Sequence, residues 1–85
     1  MWDDIGYIMA SNYRKLIVEK LKYKNYLPST LAKELKIQLS HISRALSELK
    51  RKNVVECLNE TSKKGKIYTL TELGKKISEK IESEL

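Results

Sequence analysis

"SHISRALSELKRK", residues 40–52, carries two kinds of side chain that separate onto two faces. Ile42, Ala45, Leu46 and Leu49 recur at steps of three, one and three, which gathers them on one face of an α-helix. The opposite face carries His41, Ser43, Arg44, Ser47, Lys50 and Arg51. Ser40 is the expected N-cap, and the helix body is expected to run to about Lys52. The apolar face needs a domain to lie on. The other face opens with short polar side chains and closes on the consecutive cations Lys50, Arg51 and Lys52. It is either an ordinary solvated surface or one built to meet an acidic partner.

Upstream of this stretch, "IQL" (37–39) reads as a tight turn. Ser29 after Pro28 is a candidate N-cap, and Leu31, Ala32 and Leu35 give a short helix to about Lys36. From Asp3 to about Lys22, Ile5, Ile8, Met9, Tyr13, Leu16, Ile17 and Leu21 recur at helical steps. Ser11-Asn12 inside that run marks either a break or a second start, and "KYKNYL" (22–27) reads as a connection. Downstream, Asn53 can end the helix. "VVECL" (54–58) and "KIYTL" (66–70) are β-branched and aromatic runs around the polar "NETSKKG", which predicts a hairpin with a long loop. Thr71-Glu72 opens a last helix with Leu73, Ile77, Ile81 and Leu85 on one stripe, in which Gly74 costs about 1 kcal/mol of helix propensity. Pro28 is the only proline and Gly6, Gly65 and Gly74 are the only glycines, so a mainly α chain with one small β-hairpin is expected.

Two helices joined by a three-residue turn describe a helix-turn-helix. In that motif the second helix puts its N-terminal part into the major groove of DNA while the first crosses the backbone. Ser40, Ser43 and Ser47 are short enough to let the helix backbone approach base edges, and Arg44 is a long donor able to fork onto guanine or reach a phosphate. Gln38, His41, Lys50 and Arg51 complete the expected contact set on this element. Lys63, Lys64 and Lys66 flank Gly65 at the hairpin tip, where they suit a second contact to the backbone or minor groove. Alone, "KKGK" would be a solvated turn; one hairpin after a helix-turn-helix, it favours contact. Lys15, Lys33 and Lys36 are further candidates for phosphates.

The charge balance points the same way. Net charge is +6, but residues 11–66 hold fourteen Lys/Arg against five Asp/Glu, a local +9, while residues 1–10 contribute −2 and residues 67–85 contribute −1. A basic middle between non-basic ends suits a polyanionic partner.

These residues carry a resemblance. "STLAKELKIQLSHISRALSELKRKNVVECLNETSKKGKIYTLTELGKKI" resembles the winged helix-turn-helix of MarR-like and ArsR-like transcription regulators, and is most similar to their small single-domain archaeal versions. Members typically read Ala-x-x-Leu-Gly-Ile, then Ser-x-Val-Ser-Arg-x-Leu-x-x-Leu, a Gly-Leu-Val strand, a basic wing and Leu-Thr-x-x-Gly. Ala32, Leu35, Ile37, Ser40, Ile42, Ser43, Arg44, Leu46, Leu49, Val54, Val55, Tyr68, Leu70, Thr71 and Gly74 are in step, and "SNYR" (11–14) looks like the start of the first core helix. Lys36 and Asn53 stand where the family usually has Gly. Both places often want φ > 0, which Asn tolerates and which should either cost Lys about 1 kcal/mol or force another turn geometry. The length of 85 residues predicts a single domain over residues 1–85, the match places its winged core at about 11–77, and the resemblance implies transcriptional regulation by operator binding as a homodimer.

Other chemistries find little support. Ser43 lacks evident His and carboxylate partners, and there is no Gly-rich phosphate loop, carboxylate pair or metal cluster, so neither a catalytic site nor a cofactor is expected. Cys57 alone cannot form an internal disulfide and alternates with Val55, which suits a small core residue. His41 reads as a base or phosphate contact, or equally as an exposed polar residue. Tyr7, Tyr13, Tyr23, Tyr26 and Tyr68 are scattered, which fits packing better than base stacking. No apolar run approaches the roughly 18 residues of a membrane span, and the start Trp2-Asp3-Asp4 is unlike a signal peptide, so a cytoplasmic protein is expected. A chain of 85 residues has a modest core. Trp2, Ile5, Ile8 and Met9, with Ile77, Ile81 and Leu85, are the expected dimerisation surface, the alternative being that the two end helices pack on each other within one chain. The rival functions are a winged helix that contacts protein in a transcription or repair assembly, and an RNA-binding module.

Overall fold

The computed structural model describes residues 2–84. Its elements, in order, are α1 (Trp2–Met9), α2 (Asn12–Leu21), α3 (Pro28–Leu35), α4 (Leu39–Arg51), β1 (Val55–Cys57), β2 (Tyr68–Leu70) and α5 (Glu72–Glu84).

Ser11 settles the long N-terminal periodic run as two helices. It adopts extended backbone (φ −126°, ψ 123°), and its Oγ accepts a hydrogen bond from the Arg14 N–H, the geometry of an N-cap. The apolar stripe continues across the break, with Ile8 and Ile17 both fully buried, so periodicity alone could not show it.

The two expected serine caps are corrected. α3 starts at Pro28, with Leu27 at the cap position and no side-chain cap bond. Proline's fixed φ and missing N–H suit the first helical position, which leaves Ser29 inside the turn. α4 starts at Leu39 after Gln38, again without a side-chain cap, so Ser40 also lies inside its helix. Asn53 (φ 62°) ends α4 in the left-handed conformation that Asn tolerates, and Lys36 (φ 58°) ends α3 in the same conformation rather than in another turn geometry. The Ile37 N–H closes α3 onto the Ala32 carbonyl at 3.0 Å, and the Val54 N–H closes α4 onto the Leu49 carbonyl at 3.0 Å.

The hairpin strands are shorter than the β-prone runs that contain them. They pair antiparallel as Val55↔Leu70, Glu56↔Thr69 and Cys57↔Tyr68. Residues 22–27, expected only to connect, supply a third arm. The backbones of Tyr26 and Tyr68 exchange hydrogen bonds of 3.1 and 2.8 Å, and the Tyr26 side chain is buried.

Below the sheet lies one core in which Ile17, Leu31, Ile42, Leu46, Leu49, Val54 and Ile77 are fully buried. α5 is tied to the α4–β1 joint by Thr71. Its Oγ1 donates to the Asn53 carbonyl (2.7 Å) and accepts from the Gly74 N–H (2.9 Å). A Cβ on Gly74 would come within 2.1 Å of the Val54 carbonyl oxygen, so the glycine that weakens the helix locally is what lets α5 approach β1.

The expected dimerisation set divides. Ile8 and Ile77 are fully buried within the single chain and have no surface left for a partner, a correction whose cause is that α1 and α5 do pack together. Trp2 remains 63% exposed, with the Lys80 ammonium 5.1 Å from its ring centre, and Ile5, Met9 and Ile81 are half-buried. Leu85 lies outside the described residues.

Candidate nucleic-acid interface

α4 presents the face its sequence anticipates. Ile42, Ala45, Leu46 and Leu49 are buried, while Gln38, Ser40, Ser43, Arg44, Ser47, Lys50 and Arg51 are exposed. Arg44 and Arg51 make no hydrogen bond or ion pair with the described residues, so both guanidinium groups stand in solvent. His41 departs from the exposed reading. It is half-buried and stacks on Tyr13 with ring centres 5.1 Å apart and planes at 27°, which ties the start of α4 to the start of α2.

The orientation of α4 is held by Arg14. Its Nε donates to the Tyr7 carbonyl at 2.9 Å, one terminal nitrogen donates to Glu48 Oε1 at 3.3 Å, and its guanidinium lies 3.9 Å from the centre of the Tyr7 ring. One side chain thus fastens α1, α2 and α4.

The loop between the strands is an organised wing. Asn59 Nδ2 donates to the Gly65 carbonyl at 2.8 Å, and its Oδ1 accepts from the Ile67 N–H at 2.7 Å. Oδ1 also accepts from the Cys57 thiol at 3.4 Å, and Cys57 itself is half-buried rather than a full core residue. Gly65 has φ 148°, and a Cβ there would sit 3.1 Å from the Leu27 side chain. Both facts favour glycine at a tip that leaves Lys63, Lys64 and Lys66 exposed around it.

Lys50 joins the two parts. Its ammonium pairs with Glu60 of the wing, so this cation reaches across to the loop. The hydrogen bond raises the Lys50 pKa above its ordinary value and lowers that of the Glu60 carboxyl. Of the other expected phosphate ligands, Lys33 and Lys36 are exposed on and just after α3, whereas Lys15 lines a groove between α2 and α5 together with Val18, Ser78 and Ile81. Asn59 and Glu60 were missed by the sequence reading, and Tyr13 was read only as a packing residue. Only Asn59 left a signal, as a turn-former placed ahead of Gly65. No group of His, Cys, Asp and Glu able to hold a metal ion occurs among the described residues. No described helix is long and apolar enough to cross a membrane.

A short helix, a tight turn, a second helix with an open polar face and an antiparallel two-stranded wing define the winged helix-turn-helix fold, and this chain has it. A ZitR variant from Lactococcus lactis superposes with a TM-score of 0.79 at 18% identity, covering 86% of this chain and 51% of that one. HlyU from Vibrio cholerae gives 0.76 at 23% identity, over 91% of this chain and 80–83% of its own. Mb0332 from Mycobacterium bovis, solved as a homodimeric winged helix-turn-helix DNA-binding domain, gives 0.79 at 19%, over 93% of this chain and 72% of its own. The chain spans 51% of one ZitR structure and 67% of another. No family model matches the sequence, and no curated protein matches it.

Proposed function

We propose that this chain is a sequence-specific double-stranded DNA-binding protein, a transcriptional regulator of the small single-domain type, acting without catalysis as a homodimer in the cytoplasm. The observation that carries this reading is the outer face of α4, where Ser40, Ser43, Arg44 and Ser47 are exposed and unpaired on a helix fastened to its domain by a fully apolar opposite face. Short side chains bring the helix backbone near base edges, and Arg44 supplies a forked donor. The wing lysines add phosphate contacts beside it, and Lys33 and Lys36 extend them. Trp2, Ile5, Met9 and Ile81 form the surface through which a second copy would dock. Mb0332, homodimeric and DNA-binding with the same fold, supports both parts of the reading. Two such heads on a two-fold axis suit an inverted repeat with centres about 34–36 Å apart.

The test is binding to a duplex DNA pool, to the same sequences single-stranded, and to duplex RNA, with the mass of the free and bound protein measured alongside. Preference for duplex DNA by a species of two chains is expected. Preference for single strands or for A-form RNA would move the reading to RNA, and absence of nucleic-acid binding would move it to protein contact.

A further inference from the structure

One side chain at the tip of α4 does not fit the pattern of its neighbours. Leu39, the first residue of the helix, is 50% exposed. The period that buries Ile42, Leu46 and Leu49 puts Leu39 at the border of the apolar face, yet it is not among the half-buried hydrophobes packed on the core. Ser43 and Ser47, at i+4 and i+8 on the adjoining stripe, are too short to cover it. A single exposed leucine is ordinary on most of a protein surface. This one stands at the N-terminal end of the helix, the end that meets base edges when such a motif docks. Among the residues of α4 and its cap, every other exposed side chain at this end is polar or cationic.

The floor of the major groove offers a leucine one good partner, because the 5-methyl group of thymine is its apolar feature. Gln38, immediately before Leu39, is exposed and spends its side-chain amide on no cap bond. A free amide of this kind pairs bidentately with adenine N6 and N7. Two adjacent side chains therefore match the two halves of A·T pairs. Resting on the DNA-binding reading above, we infer that Leu39 is a specificity-determining residue that packs on a thymine methyl in the major groove, with Gln38 reading adenine beside it.

The experiment starts with selection of bound duplexes from a random pool using the full chain. Each thymine of the selected motif is then replaced in turn by deoxyuridine, which removes only the methyl group. One thymine per half-site is expected at which the wild-type protein loses about fourfold in affinity, the worth of one buried methyl. Leu39→Ala should bind the thymine and deoxyuridine duplexes equally while keeping the wild-type unfolding midpoint. A motif in which every thymine can be replaced without loss overturns the contact, and so does a Leu39→Ala protein that keeps the fourfold discrimination. The deoxyuridine scan needs no variant, so a scan without loss overturns the contact even if Leu39→Ala folds poorly, and Leu39→Met then serves to assign a loss, since it should keep part of the discrimination that a contact from another residue would leave whole. A wild-type protein that selects no motif overturns both this contact and the reading beneath it, which separates the two failures.

Discussion

Arg14, Lys20 and Lys22, on and just after α2, differ from Arg44, Arg51, Lys63, Lys64 and Lys66 in one respect. Each of the first three is bound to a carboxylate of another element: Arg14 to Glu48 at 3.3 Å, Lys20 to Glu34 at 3.1 Å, and Lys22 to Glu82. The cations of α4 and the wing make no such bonds with the described residues, Lys50 excepted. Both groups count among the fourteen Lys/Arg of residues 11–66, but they do opposite work. The first group fastens helices, and its charge is already neutralised. The second keeps its charge unpaired among the described residues. A count of basic residues therefore overstates a nucleic-acid interface unless the paired cations are set aside.

Removing one cation from each group should separate stability from binding. The largest effect is expected for Arg14→Met. The Arg14 side chain is only 13% exposed, so its bonds to Tyr7 and Glu48 are worth more than those of a surface pair. A loss of about 2–3 kcal/mol, or a fall of roughly 10–20 °C in the midpoint of thermal unfolding, is expected, with the salt dependence of DNA binding unchanged in the folded protein. Arg44→Ala should do the reverse. Its unfolding midpoint should stay put, while affinity falls by about 1–3 kcal/mol on the preferred duplex and less on others, as titrations against a panel of sequences would show. Equal losses on all sequences would make Arg44 a phosphate contact.

Glu60→Gln probes the one cation that belongs to both groups. With its carboxylate partner gone, Lys50 is released to meet a phosphate. Binding should tighten, and the slope of log K against log salt should steepen by up to about 0.9. An unchanged slope would make the Lys50–Glu60 pair purely structural.

The smallest effect concerns Glu34. The hydrogen bond from Lys20, and then that from the Tyr26 hydroxyl, hold its carboxyl below the ordinary 4.5. A carboxyl whose pKa is depressed on folding contributes stability that is complete above 4.5 and drains away as pH falls through the lower folded value. Unfolding curves of wild type and Glu34→Gln should therefore converge as pH falls below that range and separate slightly above it.

The sequence carried some of these features and not others. The faces of α4 were legible because an amphipathic period needs only local spacing, and the apolar set Ile42, Ala45, Leu46 and Leu49 is buried as read. The left-handed end at Asn53 was legible from the glycine that the resembled family carries there, whereas the same comparison left Lys36 open between that conformation and another turn. The Ser29 and Ser40 caps were misread because each residue type is a good cap in isolation, while Pro28 and Gln38 already held the helix starts. The pairs that sort the cations span 14 to 34 residues in sequence for Lys20–Glu34 and Arg14–Glu48, and no local pattern announces them. The same holds for the burial of Ile8 and Ile77, which follows from how α1 and α5 meet rather than from either helix alone.

The central claim is that the unpaired cations of α4 and the wing neutralise phosphates of duplex DNA. Its most direct test is duplex affinity across a salt series, measured for the wild-type protein and for a variant with Lys63, Lys64 and Lys66 all replaced by Ala. The wild-type plot of log K against log salt should fall steeply. The variant should lose up to about 2.7 of that slope, at about 0.9 per phosphate, with its unfolding midpoint unchanged. Identical slopes for the two proteins, or wild-type affinity indifferent to salt, would contradict the account.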